Sequence, residues 1–160
     1  MRYDMKILLA DLKRHEGIRN QLYFDPLGIL TVGIGHALGS RLVPAVIRNA
    51  MSMPGMMDTP LHPDVIDLLL ALDAAEADKQ VRNLALLRGV NFDALSPARQ
   101  MVLINMCFNL GAGRLGNFNK MWTALMNGNY LEAAAQMKDS LWHRQVGIRA
   151  VELETIMLKG

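Results

Sequence analysis

The chain has 160 residues, about half of them apolar and a fifth charged. That excludes a disordered chain and suits one compact unit, if need be of two lobes, with a real hydrophobic core. The net charge is only +2; residues 1–80 carry 8 basic and 10 acidic side chains and residues 81–160 carry 9 and 5, an asymmetry that suits an acidic polymer but is too weak to argue for nucleic acid.

In chain order, residues 4–16 read as a helix. Asp4 is placed to cap it, and Met5, Leu8, Leu9 and Leu12 form an apolar stripe at helical spacing. Gly17 stands where a left-handed residue stops a helix. From Leu22 to Ile34 the pattern is strand-like, with Asp25-Pro26-Leu27-Gly28 as a hairpin turn. Residues 39–62 are broken by Gly39, Pro44, Pro54, Gly55 and Pro60, with room for one short helix near 43–50. The methionines there (Met51, Met53, Met56, Met57) read as adaptable core filler.

Pro63 opens a long helix that runs to about residue 88, either continuous or with a break after Arg82. Ser96-Pro97 opens another, almost wholly apolar from Val102 to Leu110 and therefore central to a helical core. Helices over 117–127, from Asn129 to about Asp139, and over 148–159 complete the chain; Asn129 with Glu132 resembles a capping box. Cys107, the only cysteine, sits inside the apolar run and reads as a buried, inert thiol. The N-terminus is too charged for a signal peptide, and no apolar run approaches 18 residues. The expected locale is therefore the cytoplasm of the producing cell, with no export route of the chain's own and no membrane insertion.

The chemistry concentrates near the N-terminus. Glu16 falls in the last turn of the first helix, where the helix dipole disfavours a carboxylate and favours the protonated form that a general acid needs. Asp25, in a solvated turn, is expected to stay ionised. Two carboxyls in unlike settings are what cleavage of a glycosidic bond requires. Each also has an ordinary explanation, as a solvated helix-end Glu and a turn-forming Asp; Thr31 likewise suits a strand. The segment Gly33-Ile34-Gly35-His36 lacks both the P-loop ending and the dinucleotide-binding spacing, so no nucleotide site is expected. His36 has no ligand cluster near it in sequence, so no metal and no other cofactor is expected.

Three separated motifs resemble one family. Glu16-Gly17-Ile18-Arg19, Tyr23-Phe24-Asp25, Gly28 and Thr31 to His36 are similar to the phage-type lysozymes of the T-even phage class, in which an acid, an aspartate nine residues on and a threonine six further form the catalytic trio. Leu103 to Met106 with Phe108, Gly111 and Phe118 is the second match; Ser140, Trp142, Gln145 and Arg149-Ala150 is the third. The resemblance runs from about residue 6 to 150 and is weakest over 37–62.

The resemblance implies an α+β, mainly helical, two-lobed fold. A small sheet lobe would occupy 17–62, a connecting helix 63–88, and a helical lobe 1–16 plus 89–160. It implies an endolysin that hydrolyses the β-1,4 bond between N-acetylmuramic acid and N-acetylglucosamine in peptidoglycan. Glu16 would be the acid, Asp25 would activate or position water, and Thr31 would hold that water. An inverting outcome implies a carboxyl separation of roughly 6.5–9.5 Å. Phe108, Asn109 and Gly35 would line the substrate cleft. Arg149 would lie near Glu16 and oppose the dipole effect, and His36 would pair with Asp73 in preference to Glu76.

The protein would act as a monomer and depend on a partner such as a holin to leave the host cytoplasm. Leu141, Val146 and Asn109 stand where the family has an arginine, a polar residue and a glutamine, which puts sugar and peptide contacts in doubt. The rival readings are a lytic transglycosylase, which releases 1,6-anhydro products, and an inactive peptidoglycan-binding virion component.

Overall fold

The structure, a computed structural model, describes residues 2–17, 19–24, 30–33, 36–37 and 60–160, with the backbone alone for the segments between 19 and 37. The expected hairpin turn at 25–28, the short helix near 43–50 and the methionines of that stretch lie outside the described residues. The chain divides into two compact units, one of Met1–Leu8 with Glu76–Gly160 and one of Leu9–Ala75.

The second unit holds most of the first helix, α1 (Met5–Glu16). Asp4 caps α1: its Oδ1 accepts from the Lys6 backbone N–H at 2.7 Å, satisfying one of the donors a helix start leaves open. Gly17, at φ 70°, ends the helix and donates to the Lys13 carbonyl. Leu8 and Leu12, one turn apart, are both fully buried. The strands β1 (Arg19–Phe24), β2 (Leu30–Gly33) and β3 (His36–Ala37) follow. They pair antiparallel in the order β1-β2-β3, with Tyr23 opposite Thr31, Val32 opposite His36, and an irregularity between Arg19 and Tyr23. Lys13 Nζ and Asp67 Oδ1, 2.6 Å apart, tie α1 to the start of α2 (Pro63–Leu87).

The expected α+β class, with a sheet-containing lobe at 17–62, is corrected. The described residues are mostly helical and show no separate sheet lobe. The strands are short, one of them two residues long. So little ladder cannot present the continuous apolar face that makes a sheet one layer of a two-layer domain.

Helix α2 is continuous to Leu87, which decides between an unbroken helix and one interrupted after Arg82. Its buried stripe, Ile66, Leu70, Ala74, Ala77, Val81 and Ala85, keeps three- and four-residue spacing throughout, so nothing in the pattern calls for an interruption. Gly89, at φ 68°, closes it, and Val90 N–H reaches back to the Ala85 carbonyl at 2.8 Å, the long bond of a Schellman cap.

The first unit is built around α3 (Pro97–Leu110). Ser96 caps it by accepting from Arg99 N–H at 3.2 Å, and every residue from Val102 to Cys107 is buried. Short helices α4 (Ala112–Gly116), α5 (Asn119–Met126), α6 (Tyr130–Lys138) and α7 (Leu141–Val146) lead to α8 (Ile148–Lys159). Helix α6 packs against α5 and α8, and α8 also lies against α3 and α7. Asn129 and Ser140 cap α6 and α7 by accepting from Glu132 N–H and His143 N–H, each at 3.0 Å. Trp122, Leu115, Met121, Met137 and Leu153 fill the core with α3. Burial of that many large side chains, each worth roughly 1.5–3 kcal/mol, is what holds six short helices to one another.

Candidate active site

Glu16 is the last residue of α1 and is half-buried. The chain turns at Gly17 and enters β1 two residues later. Asp25 lies outside the described residues, as does Gly35. Thr31 is on β2 with its backbone registered between Tyr23 of β1 and Ala37 of β3, and its side chain lies outside what is described. Glu16 and the Thr31 backbone thus belong to one compact unit.

His36 pairs through its backbone with Val32; its side chain is likewise outside the described residues. Asp73 is half-buried on α2. Glu76, the other candidate partner, accepts from Gln80 Nε2 at 3.0 Å. Cys107 Sγ lies 3.7 Å from Gln80 Oε1. Burial, reinforced by the negative charge of Glu76, pushes the Cys107 thiol up to about 11. It is therefore protonated and unreactive near neutral pH.

The other sequence candidates lie in the first unit. Phe108 is half-buried and Asn109 exposed, both in the last turn of α3. Trp142 donates its indole N–H to Asn109 Oδ1 at 2.8 Å. With the carbonyl oxygen engaged in this way, Asn109 presents its NH₂ group as the remaining polar handle. Phe118 meets Trp142 edge-to-face, centroids 6.4 Å apart. These two rings line a groove of about 930 Å³ whose rim carries Arg114, Lys120, Asp139 and Gln145. Of its lining, Phe118, Ser140, Trp142 and Gln145 stand in the second and third family-like motifs of the sequence. Its walls come from the end of α3 and from α4, α5, α6 and α7, which only packing brings together.

Arg149 is buried, at 7% exposure. Its Nε donates to Asn105 Oδ1 at 2.8 Å and its Nη2 to the Asn105 carbonyl at 3.2 Å. A buried guanidinium must have its donors met, and Asn105 meets two of them. No role is expected of Asn105 from the family-like motifs, yet an amide inside the run Val102–Cys107 is a polar group that must be bonded if the run is buried.

Among the described residues no three His, Cys, Asp or Glu side chains gather into a group that could hold a metal. No described helix is long and apolar enough to cross a membrane.

The phage lysozyme family model matches residues 13–155 of the chain. The pre-baseplate central spike protein Gp5 of Enterobacteria phage T4 is 32% identical over 156 residues, which are 93% of this chain and 27% of that protein. The chain thus spans about a quarter of the length of that relative. Two proteins of Dictyostelium discoideum described as probable T4-type lysozymes, numbers 2 and 1, are 24% and 27% identical. In each case the alignment takes in 93% of this chain and 92% of the relative. The matched span contains Glu16, Asp25, Thr31 and the Trp142 groove in a single collinear stretch, and the chain belongs to the phage lysozyme family, a family of muramidase glycoside hydrolases.

Proposed function

We propose that the protein hydrolyses the β-1,4 bond between N-acetylmuramic acid and N-acetylglucosamine in bacterial peptidoglycan and so brings about host cell lysis. The observation that carries this reading is the family match over 13–155, which spans all three trio positions in order. In the proposed reaction the protonated Glu16 carboxyl gives its proton to the glycosidic oxygen as that bond breaks. Water adds to the anomeric carbon from the opposite face, and Asp25 takes the proton that the water loses. Thr31 holds the water. The Glu16 proton leaves with the departing sugar and one proton arrives at Asp25, so the two carboxyls exchange states and must be reset by solvent.

Support for Glu16 as the acid is its place at the end of α1, half-buried and next to a glycine turn. Asn109, oriented by Trp142, is proposed as a donor to substrate, and Phe108 and Gly35 as further substrate contacts. Arg149 and the pairing of His36 with Asp73 are proposed as supports for the site. The chain is proposed to work as a monomer at the wall, released from the host cytoplasm by a pore-forming partner such as a holin.

Suspension clearing tests the reading directly. The wild type is expected to clear a peptidoglycan suspension, and Glu16→Gln to fold normally without clearing it. Clearing by a folded Glu16→Gln variant refutes the acid role. Product masses separate hydrolysis from transglycosylation, since 1,6-anhydro ends are lighter by one water. The similarity to a phage spike protein favours one second reading, an enzyme domain carried on a virion component. Recovery of the protein in purified particles would support that reading over release from the host cytoplasm.

A further inference from the structure

Side-chain bonds close a circuit through the helical unit. Arg149 of α8 donates to Asn105 of α3. Further along α8, Glu154 Oε2 lies 2.9 Å from His143 Nε2 of α7. The residue before His143 is Trp142, whose indole N–H returns to α3 at Asn109 Oδ1, 2.8 Å away. Asn105 and Asn109 are one turn apart on α3, so the path out through α8 and α7 comes back one turn from where it began.

Helix α7 needs such a tie. Its six residues are too few for a helix to hold itself. Ser140 Oγ caps one end by accepting from His143 N–H at 3.0 Å, and the chain leaves the other end at Gly147, φ 60°. A cap fixes where a helix starts but not its rotation about its own axis. Trp142 and His143 are consecutive, so their side chains leave α7 about 100° apart. One reaches Asn109 and Phe118, the other Glu154.

The tip of a side chain lies about 5–6 Å from the axis of its helix, so a rotation of about 20° carries it about 2 Å. That is enough to break the bond from Trp142 to Asn109. The Glu154–His143 bond, on another face, resists the rotation. The two side chains are only 20% and 15% exposed, so water competes weakly for the bond. A carboxylate offers no proton, so Nε2 carries the shared one, and the bond forms whether or not the ring is charged. Lys138 of α6 approaches Glu154 Oε1 at 4.0 Å, but its side chain is largely exposed and adds little.

We propose that Glu154, acting through His143, is a positioning residue: it fixes the rotation of α7 and so keeps the Trp142 indole on Asn109, the proposed donor to substrate. The proposal rests on the reading of the protein as a wall hydrolase. Neither Glu154 nor His143 lines the groove, so their effect on substrate passes through Trp142.

The test compares the whole wild-type protein with Glu154→Ala, Glu154→Gln and His143→Ala. Hydrogen exchange of the two indole N–H groups, followed by NMR, reads the structural effect. Trp122, the other tryptophan, is the internal standard, since its N–H donates to the Leu115 carbonyl at 3.0 Å inside the core. A loss of global stability speeds both indoles alike, whereas a freed α7 speeds Trp142 alone. Glu154→Ala is expected to raise the ratio of Trp142 to Trp122 exchange rates at least about fivefold. KM for soluble wall fragments should rise about three- to tenfold, with kcat within about twofold of the wild type. Glu154→Gln, whose amide oxygen still accepts from Nε2, should restore both values. His143→Ala should match Glu154→Ala, and the double variant should be no worse than either. Unfolding curves check that each variant keeps the fold.

An unchanged exchange ratio in a folded Glu154→Ala protein overturns the proposal, and so does a raised ratio with an unchanged KM. If Glu154→Gln behaves like Glu154→Ala, or if the two alanine effects add, the bond between these side chains is not the device and the proposal fails. A wild type without activity on wall fragments refutes the proposed function instead. The exchange ratio, which needs no substrate, still decides whether Glu154 positions Trp142.

Discussion

Replacing Asn105 by alanine removes the acceptor that Arg149 Nε uses inside the helical core. The Asn105 carbonyl, part of the α3 backbone, stays in place and keeps its bond from Nη2. The losses include one charge-assisted bond of 2.8 Å between a fully buried amide and a guanidinium only 7% exposed. Such a bond is worth about 1.5–3 kcal/mol. The small void left by the amide adds to it.

We therefore expect Asn105→Ala to lower stability by about 2–4 kcal/mol, which for a chain of this size is a fall in Tm of roughly 4–16 °C. Urea unfolding followed by tryptophan fluorescence and by far-ultraviolet dichroism measures it, with coincidence of the two probes as the check on two-state behaviour. A cycle with Arg149→Met isolates the pair, and a coupling of at least about 1 kcal/mol is expected. If Asn105→Ala costs under about 0.5 kcal/mol, or if the two substitutions are additive, Asn105 is not what holds Arg149 and the reasoning fails.

Two further outcomes follow from the same contacts. Trp142→Phe keeps an aromatic ring against Phe118 but deletes the N–H that orients Asn109. It should cost about 1–3 kcal/mol in stability. KM for wall fragments should rise more than kcat falls, and an unchanged KM would remove Asn109 from the substrate face. Cys107, its thiol raised in the fold to about 11 from an ordinary 9.0, keeps its proton between those values while the unfolded chain loses it. Stability should consequently fall as pH rises from about 9 toward 11, and Cys107→Ala should flatten that slope. Native protein should also resist thiol reagents at pH 7, and rapid labelling without unfolding would contradict the burial.

Much of the helical framework can be read from particular residues. Asp4, Ser96 and Asn129 are short polar side chains just before apolar periodic runs, and each is found capping its helix. Capping is a local interaction over two or three residues, so it is written in the sequence. The long helix shows the complementary case: local sequence leaves a break after Arg82 open, whereas the buried stripe runs through that point to Ala85 without a change of spacing. The strand-like runs between residues 22 and 34, like the family resemblance, point to a sheet lobe that the described residues do not show. Whether such runs become a layer depends on what covers them, a property no window of residues contains.

The site divides in the same way. The spacing of Glu16, Asp25 and Thr31 and the two distant motifs are one-dimensional facts, and they suffice to point to a family because each is collinear with the others. The partners of individual side chains are not one-dimensional. Arg149 and Asn105 are 44 positions apart, Trp142 and Asn109 33 apart, and each pair meets because helices of 6 to 14 residues must bury their apolar stripes on one another. The Trp142 groove exists for the same reason: it is the space left where the end of α3 and four shorter helices close around a shared core.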